Sequence, residues 1–223
     1  MIIDSRRIIS DARMALLGVK PVADSPYATH LPVLMGLARV RRVRRVLELG
    51  SGIHSTSIFL NRSFFPDLDH LASFEDDPVW AETVGSTAGT DSRLDLRLAP
   101  AIASAVPPDV DVFDLIFVDD SRTSAERSRT IREVGYRNPL GVVAVHDFEQ
   151  RCYRRAAQRF SHRFIFGSLT PQVGLVWSRA DVNRRDLAWI RQTIDDNASL
   201  APTDLVGWGQ VFDSSAPDHQ VRD

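Results

Sequence analysis

Residues 46–56 read Val-Leu-Glu-Leu-Gly-Ser-Gly-Ile-His-Ser-Thr, and this stretch decides the fold. An apolar run carries an acidic residue near its end, and two glycines two positions apart follow it. Glycines let backbone amides approach a ligand closely, and a helix that begins after them offers unpaired N–H groups and a positive dipole. The stretch therefore predicts a buried strand, a tight turn and a helix whose start binds an anionic group.

Short apolar runs alternate with helical stretches on both sides of this unit. The predicted strands are Val46–Leu49, Leu71–Phe74, Leu94–Leu98, Phe113–Val118 and Val142–Val145. This spacing is typical of a parallel sheet with helices on both faces. After a helix over Gln150–Arg159, the runs Arg163–Gly167 and Gly174–Ser178 predict an antiparallel pair, and Asp186–Asp195 predicts a last helix. We expect an α/β fold with a doubly wound, seven-stranded, mostly parallel sheet that ends in this pair.

Length and composition fit one such domain. The chain has 223 residues, of which 43% are hydrophobic. We predict a helical N-terminal arm over residues 1–42, with a short helix at His30–Val40, then the main domain over 43–213 and a frayed tail over 214–223. The arm is a candidate lid over the site, with Tyr27 and His30 as its candidate contacts.

Charge and cysteine content exclude several classes of protein. Cys152 is the single cysteine, so no disulfide forms within the chain. No apolar run reaches the roughly 18 residues of a membrane span, and Asp4, Arg6 and Arg7 lie where a signal peptide would be apolar. We predict a cytoplasmic protein with no membrane partner. A net charge of −2 disfavours a nucleic-acid wrapper. The basic cluster Arg39–Arg45 predicts a solvated helix end, with RNA as the alternative.

Two carboxylates indicate what the glycine turn binds. Glu48 lies two residues before Gly50, where it would repel a pyrophosphate but suits an ammonium group. Glu75 follows the second strand, about 25 residues after Gly50, where a carboxylate can accept hydrogen bonds from ribose hydroxyls. The spacing Gly50-x-Gly52-x-x-Ser55 also nearly matches the dinucleotide fingerprint. A nucleoside with an ammonium and a carboxylate group describes S-adenosylmethionine, and NAD is the rival ligand.

These motifs resemble those of class I S-adenosylmethionine-dependent methyltransferases over about residues 43–180. The matching segments are the glycine motif Glu48–Gly52, the ribose acid Glu75 and the fourth-strand motif Phe113–Asp119. The resemblance implies a Rossmann-like methyltransferase fold with S-adenosylmethionine as cofactor. Its implied cofactor-binding residues are Glu48, Gly50, Ser51, Gly52, His54, Ser55, Thr56, Glu75, Asp76, Ala99 and Asp119. The third motif reads Ala99-Pro100-Ala101 without the usual acid, so adenine contacts are expected from backbone or apolar groups.

The fifth-strand segment Gly141–Phe148, which contains His146-Asp147, resembles that of small-molecule O-methyltransferases. This implies O-methylation of a small polar metabolite, such as a sugar or a tailoring intermediate. An aminopropyltransferase-like enzyme and a non-catalytic S-adenosylmethionine-binding subunit are the alternatives, and a homo-oligomer stays open. The partner is then a small-molecule acceptor rather than nucleic acid.

Asp119, His146 and Asp147 are the candidate catalytic residues, because strands four and five of a parallel sheet end at the same edge. An acceptor hydroxyl has a high pKa, which leaves two routes for removing its proton. In one route a base near His146 takes the proton. In the other, Asp119 and Asp147 hold Mg²⁺, as the more distant resemblance to catechol-type enzymes implies, and Glu149 or Asp120 completes an all-oxygen shell.

Overall fold

A computed structural model describes residues 29–120 and 123–198 of the chain. Most of the predicted arm, including Tyr27, lies outside these residues, as does the tail. The described strands are β1 (Arg45–Leu49), β2 (His70–Glu75), β3 (Leu94–Leu98), β4 (Leu115–Val118), β5 (Val142–Val145), β6 (His162–Phe166) and β7 (Val173–Trp177). All seven predicted strands are confirmed. β4 begins two residues later than expected because a 3₁₀ turn at Val110–Val112 precedes it and Phe113 caps that turn.

The strands form one sheet in the order β3-β2-β1-β4-β5-β7-β6. β1 to β5 pair in parallel, whereas β7 is antiparallel to both β5 and β6. The chain reverses its direction of winding between β1 and β4. In open α/β sheets, ligands bind outside the carboxyl ends of the strands at this switch point. The loops after β1, β2, β4 and β5 therefore border the expected site.

Helices cover both faces of the sheet. They are α1 (Leu31–Val40), α2 (Ile53–Leu60), α3 (Pro78–Ala88), α4 (Ile102–Ala105), α5 (Ser124–Arg137), α6 (Arg151–Ala156) and α7 (Arg184–Ala198). None of the helices in the described ranges is both long and apolar enough to span a bilayer.

Alternate strand side chains enter two separate cores. Val46 and Phe117 pack with α1, α2 and α7, while Leu47 and Val118 pack with α4, α5 and α6. Because both faces are buried, the central strands are apolar throughout, as the sequence pattern indicated. The described end of the arm is part of this packing, since α1 contributes Leu34 to the first core.

Capping residues place α5, whose buried face borders the site. Thr123 is its N-cap, and the Glu126 N–H donates to the Thr123 hydroxyl at 3.3 Å. The helix ends at Asn138, which adopts a left-handed conformation with φ of 50°. Its buried face carries apolar Ile131 and Val134 together with polar Arg127 and Thr130.

Candidate functional site

The glycine turn lies directly against the loop that follows β4. Gly50 has φ of +93°, and a Cβ there would come within 2.4 Å of the Asp119 carbonyl oxygen. Only glycine accommodates both the positive φ and this approach. Gly52 is the N-cap of α2 and has extended backbone. The predicted strand–turn–helix unit is thus confirmed, and its turn contacts the backbone of a candidate catalytic residue.

Glu48 is enclosed beneath the turn rather than exposed to a ligand. Its side chain is completely buried and accepts hydrogen bonds from Ser55 at 2.5 Å, Thr56 at 2.7 Å and Ser73 at 2.5 Å. Burial raises the pKa of Glu48 to about 7, although these three hydroxyls oppose the rise. Four of the predicted cofactor residues therefore belong to one buried network, which includes Ser51 through its bond to Ser73. A ligand ammonium group reaches Glu48 only if this network opens.

Glu75 joins the glycine turn to the end of β2. Its carboxylate accepts the Ser51 N–H at 3.0 Å and the N–H groups of Asp76 and Asp77, also at 3.0 Å. Burial raises the pKa of Glu75 to about 7. A carboxylate has about four lone-pair sites, so three are occupied and one is left for a ribose hydroxyl. Bonding two ribose hydroxyls, as the sequence predicted, would require Glu75 to release a backbone donor.

A small cleft of about 40 Å³ lies between the loops after β2, β3 and β4. Its lining consists of Asp76, Pro100, Ala101, Ile102, Ala103, Ser104, Asp120, Glu126, Arg129 and Thr130. Ala99 is next to it and donates its N–H to the Glu75 carbonyl at 2.7 Å. His54 is half-buried on α2, and burial lowers its pKa. The third motif thus lines the cleft together with the carboxylate of Asp120, which the sequence analysis assigned to the metal shell.

Arg127 of α5 connects two of the candidate catalytic residues. Its Nη1 lies 2.6 Å from Asp147 Oδ2 and 3.0 Å from Asp119 Oδ1, and its Nε donates to the Asp120 carbonyl at 2.6 Å. Asp147 has φ of 55°, a left-handed conformation that aspartate tolerates better than most residues. Burial opposes ionisation of Asp119, but the charges of His146 and Arg127 outweigh it and hold its pKa well below the usual range. Arg127 therefore bridges the two carboxylates and favours the ionised form of Asp119.

His146 lies beside this pair with both ring nitrogens engaged. Its Nδ1 is 3.3 Å from Asp119 Oδ1, and its Nε2 is 2.9 Å from the hydroxyl of Thr29. That hydroxyl donates its hydrogen to the Pro171 carbonyl at 3.0 Å, so Nε2 acts as the donor to Thr29. Burial alone would lower the pKa of His146, but Asp119 and Asp147 outweigh it and raise the pKa. These contacts stabilise the protonated form of the ring.

His30, from the described end of the arm, completes the group. It is 2% exposed, and its ring lies edge-on to His146 with centroids 5.0 Å apart. Burial, reinforced by the charge of His146, lowers the pKa of His30 well below its ordinary value. Neither of its ring nitrogens has a hydrogen-bond partner within the described ranges. An imidazole whose pKa is lowered thus lies next to one whose pKa is raised, at the carboxyl edge of β4 and β5.

Comparison with known proteins bears on the fold. No protein-family model matches the sequence, and a search of curated proteins gives no match. Human methyltransferase-like protein 13, solved in complex with SAH, superposes with a TM-score of 0.54 at 14% identity, over 80% of this chain and 99% of that one. The chain has the class I methyltransferase fold.

Two further solved structures superpose more distantly on this methyltransferase fold. Cofactor-bound Rv0187 from MTB gives a TM-score of 0.46 at 20% identity, over 80% of this chain and 92% of that one. The N-methyltransferase NodS from Bradyrhizobium japonicum WM9, in complex with S-adenosyl-L-homocysteine, gives 0.45 at 15% identity, over 76% and 95%.

Asp119 and Asp147, the residues predicted to hold Mg²⁺, are not arranged to bind that ion. The guanidinium of Arg127 fills the position between Asp119 and Asp147. The two candidates for completing the shell point elsewhere, since Asp120 Oδ2 accepts from Thr130 at 2.5 Å and Glu149 accepts the Gln172 N–H at 2.9 Å. The trio His30, Asp119 and His146 brings two imidazoles together with one carboxylate, whereas Mg²⁺ prefers an all-oxygen shell.

The basic cluster Arg39–Arg45 lies at the end of α1 and in the segment that follows it, with Arg42, Arg44 and Arg45 exposed, as the sequence predicted. In the cluster Arg39–Arg45, Arg42 pairs with Asp67 at 3.5 Å and Arg44 bonds Asp69 at 2.7 Å, so nearby acids offset much of its charge. A separate groove of about 400 Å³ borders α6 and β6, lined by Arg151, Arg154, Arg155, Gln158 and Arg163. Arg154 is held in place by the Phe148 carbonyl at 2.8 Å. This groove therefore brings four arginines together.

Sequence reasoning missed three contributors to the site. Arg127 gave a signal that could have revealed it, because it shares the buried helical positions of Ile131 and Val134 at spacings of four and seven. Thr29 gave none, since its contact with His146 spans 117 residues. Asp120 was assigned to the metal shell rather than to the cleft. Phe148, which directly follows Asp147, is fully buried against Gly174.

Proposed function

We propose that this chain is an S-adenosylmethionine-dependent methyltransferase that methylates an oxygen atom of a small polar metabolite. The observation that carries the proposal is the contact between the glycine turn and the Asp119 backbone. A Cβ on Gly50 would lie only 2.4 Å from the Asp119 carbonyl oxygen. Through this contact the glycine turn, which we propose as the anion-binding element, lies beside the Asp119–His146 pair at the switch point of the sheet. A cofactor bound at the turn would thus have its reactive end next to Asp119 and His146, the candidate groups for proton transfer.

The three features around the turn suit the parts of S-adenosylmethionine. The start of α2 offers N–H groups and a positive dipole to the methionine carboxylate. Glu75 keeps one acceptor site for a ribose hydroxyl. The cleft that Asp76 and Asp120 line extends from the same edge and receives the base. These roles rest on the geometry of the chain's own residues.

Methyl transfer at a sulfonium is an in-line displacement: the acceptor oxygen forms a bond to the methyl carbon as the carbon–sulfur bond breaks. Alignment of the two reactants and exclusion of water supply much of the rate. The hydroxyl proton then needs an acceptor. We assign this role to His146, which accepts the proton in its neutral form and becomes the imidazolium that Asp119 stabilises at 3.3 Å, while Arg127 holds Asp119 and Asp147 in place.

The arm contributes to the acceptor side of the proposed site. Thr29 bridges His146 to the Pro171 carbonyl, and His30 lies against the His146 ring. Both residues lie directly before α1 and contact the carboxyl edge of the sheet. This supports the hypothesis that the arm covers the bound acceptor and limits access of water.

The test is acceptor-dependent formation of S-adenosylhomocysteine. The protein is incubated with methyl-labelled S-adenosylmethionine and a panel of hydroxylated metabolites, including sugars, and label is traced to the acceptor oxygen by mass spectrometry. We expect H146A to lower turnover by roughly 10²- to 10⁴-fold while S-adenosylhomocysteine binding changes little. R132M, a change at an exposed position of α5, is the control. Label on nitrogen, or full turnover in H146A, would contradict the proposed chemistry.

A further inference from the structure

The segment over residues 150–180 carries arginines without any acidic residue. It contains six arginines and no aspartate or glutamate, although the whole chain has a formal net charge of −2. Two of these arginines have partners elsewhere, since Arg159 stacks on the Tyr136 ring and Arg179 pairs with Asp111 at 3.1 Å. The other four line the groove of about 400 Å³ that borders α6 and β6, which we call the arginine groove.

A helix and a strand supply these four arginines from two sides. Arg163 of β6 shares a side of the strand with Ile165, which packs with α6 in the second core. Tyr153 of α6 is buried in that core, so the opposite face of the helix points outward. That face and the 3₁₀ turn that continues it line the groove with residues three or four positions apart: Arg151, Arg154, Arg155 and Gln158.

Three of the four arginines have no counter-charge in the part of the chain that the structure describes. Arg151, Arg155 and Arg163 are exposed, and none of their side chains forms an ion pair or a hydrogen bond with residues 29–120 or 123–198. Like charges at a spacing of four, such as Arg151 and Arg155, repel each other on a helix. A bound anion would remove this repulsion.

Arg154 is the positioned member of the groove. Its Nε donates to the Phe148 carbonyl at 2.8 Å, and its Nη2 donates to Gln172 Oε1 at 3.1 Å. A guanidinium has five N–H groups, so three are left for a ligand. The groove therefore combines one fixed donor group with three unpaired positive charges.

This combination suits a ligand with more than one phosphate group. Guanidinium groups bind phosphate oxygens with paired N–H donors. A single phosphomonoester carries a charge of about −1.5 to −2 at neutral pH, which is less than the charge of the three unpaired arginines. The volume of about 400 Å³ is that of a small-molecule site. The described lining consists of arginines and one glutamine, which offer no aromatic surface for stacking the bases of single-stranded RNA.

We propose that the arginine groove binds the diphosphate group of a small phosphorylated metabolite. Arg154 supplies the positioned donors, and Arg151, Arg155 and Arg163 supply the charge that neutralises the second phosphate. The groove lies on the outward side of α6, apart from the glycine turn between β1 and α2. The proposal goes beyond the proposed function and stands without it.

The experiment uses inorganic pyrophosphate as the probe and inorganic phosphate as the comparison. Isothermal titration of the full chain at pH 7.5 in about 0.15 M NaCl gives both dissociation constants. We expect pyrophosphate to bind at least about 10-fold more tightly, because it engages more charged donors. R155Q/R163Q removes one arginine from each element, and we expect it to weaken pyrophosphate binding by about 10- to 100-fold. R151Q/R155Q should weaken it as well.

The control is R184Q/R185Q, which removes the same charge at two exposed positions of α7, on the other face of the sheet. We expect its affinity for pyrophosphate to stay within about 2-fold of the wild type, since salt screens distant charges. Thermal melting checks the fold of every variant, and R151Q/R155Q decides the matter if R155Q/R163Q does not fold.

Four results would overturn the proposal. They are a wild type that does not bind pyrophosphate or binds phosphate equally well, a folded R155Q/R163Q with wild-type affinity, equal losses in R155Q/R163Q and R184Q/R185Q, and tighter binding of an RNA oligonucleotide than of pyrophosphate. The third result would indicate a general effect of charge, and the fourth would assign the groove to RNA.

Discussion

Substituting Arg127 with methionine should destabilise the protein strongly, because its guanidinium bridges two carboxylates. Its side chain is 8% exposed, and Nη1 lies 2.6 Å from Asp147 and 3.0 Å from Asp119, each about a quarter exposed. Removing one partner of a buried ion pair typically costs about 3–5 kcal/mol, since the other charge is left unpaired. The partial exposure of the carboxylates favours the lower end, so we expect R127M to lose about 3 kcal/mol of unfolding free energy.

Urea unfolding at pH 7.5 measures this loss, with R132M as the matched control on the exposed face of the same helix. A surface change of that kind should stay within about 0.5 kcal/mol. The pKa of Asp119 is lowered in the folded state, so its contribution is present above its unfolded pKa and disappears as the pH falls through the folded value. The difference between R127M and wild type should therefore shrink in acid. A loss below about 1 kcal/mol at pH 7.5 would refute the bridging role of Arg127.

Three other predictions address the turn, the imidazole and the metal. G50A should lose more than about 2 kcal/mol of unfolding free energy, because the new Cβ would lie 2.4 Å from the Asp119 carbonyl oxygen. G89A is the control and should lose less, because Gly89 also has a positive φ, +68°, but no atom lies within 4 Å of its Cβ position. Equal losses of the two variants in urea unfolding would contradict the close approach at Gly50. The pKa of His146, raised mainly by Asp119 against the effect of burial, should fall in D119N, so an NMR titration that shows no change would contradict the assigned pair. Activity should survive chelation, because Arg127 lies between Asp119 and Asp147; loss of turnover with EDTA that Mg²⁺ restores would favour the metal route.

Much of the fold could be predicted from the sequence because it depends on local patterns. The runs at β3 and β5 match the observed strands residue for residue. The glycine turn was recognisable because positive φ and close backbone approach both require glycine. Asp119, His146 and Asp147 could be placed together because parallel strands end at the same edge of a sheet. Each of these inferences needs only neighbouring residues and the handedness of the connections.

The charge state and partners of the site could not be predicted in the same way. Whether Glu48 faces a ligand or three hydroxyls depends on how α2 packs against the sheet, which brings Ser55 and Thr56 to it, and on the β1–β2 register, which places Ser73 opposite it. The contact of Thr29 with His146 depends on the path of the arm. The metal hypothesis rested on Asp119 and Asp147. In the structure the buried Arg127 of α5 lies between these two residues, where the ion was expected. Such contacts arise from packing between distant segments.

The proposed cofactor is tested most directly by isothermal titration of the wild-type chain with S-adenosylhomocysteine and with NAD under identical conditions. We expect S-adenosylhomocysteine to bind one-to-one with a dissociation constant in the micromolar range, which corresponds to a binding free energy of about −8 kcal/mol. We also expect it to raise the melting temperature. NAD should bind far more weakly, because the completely buried Glu48 lies beneath the turn where a pyrophosphate would lie. Tighter binding of NAD, or no heat and no thermal shift with S-adenosylhomocysteine, would contradict the proposed cofactor.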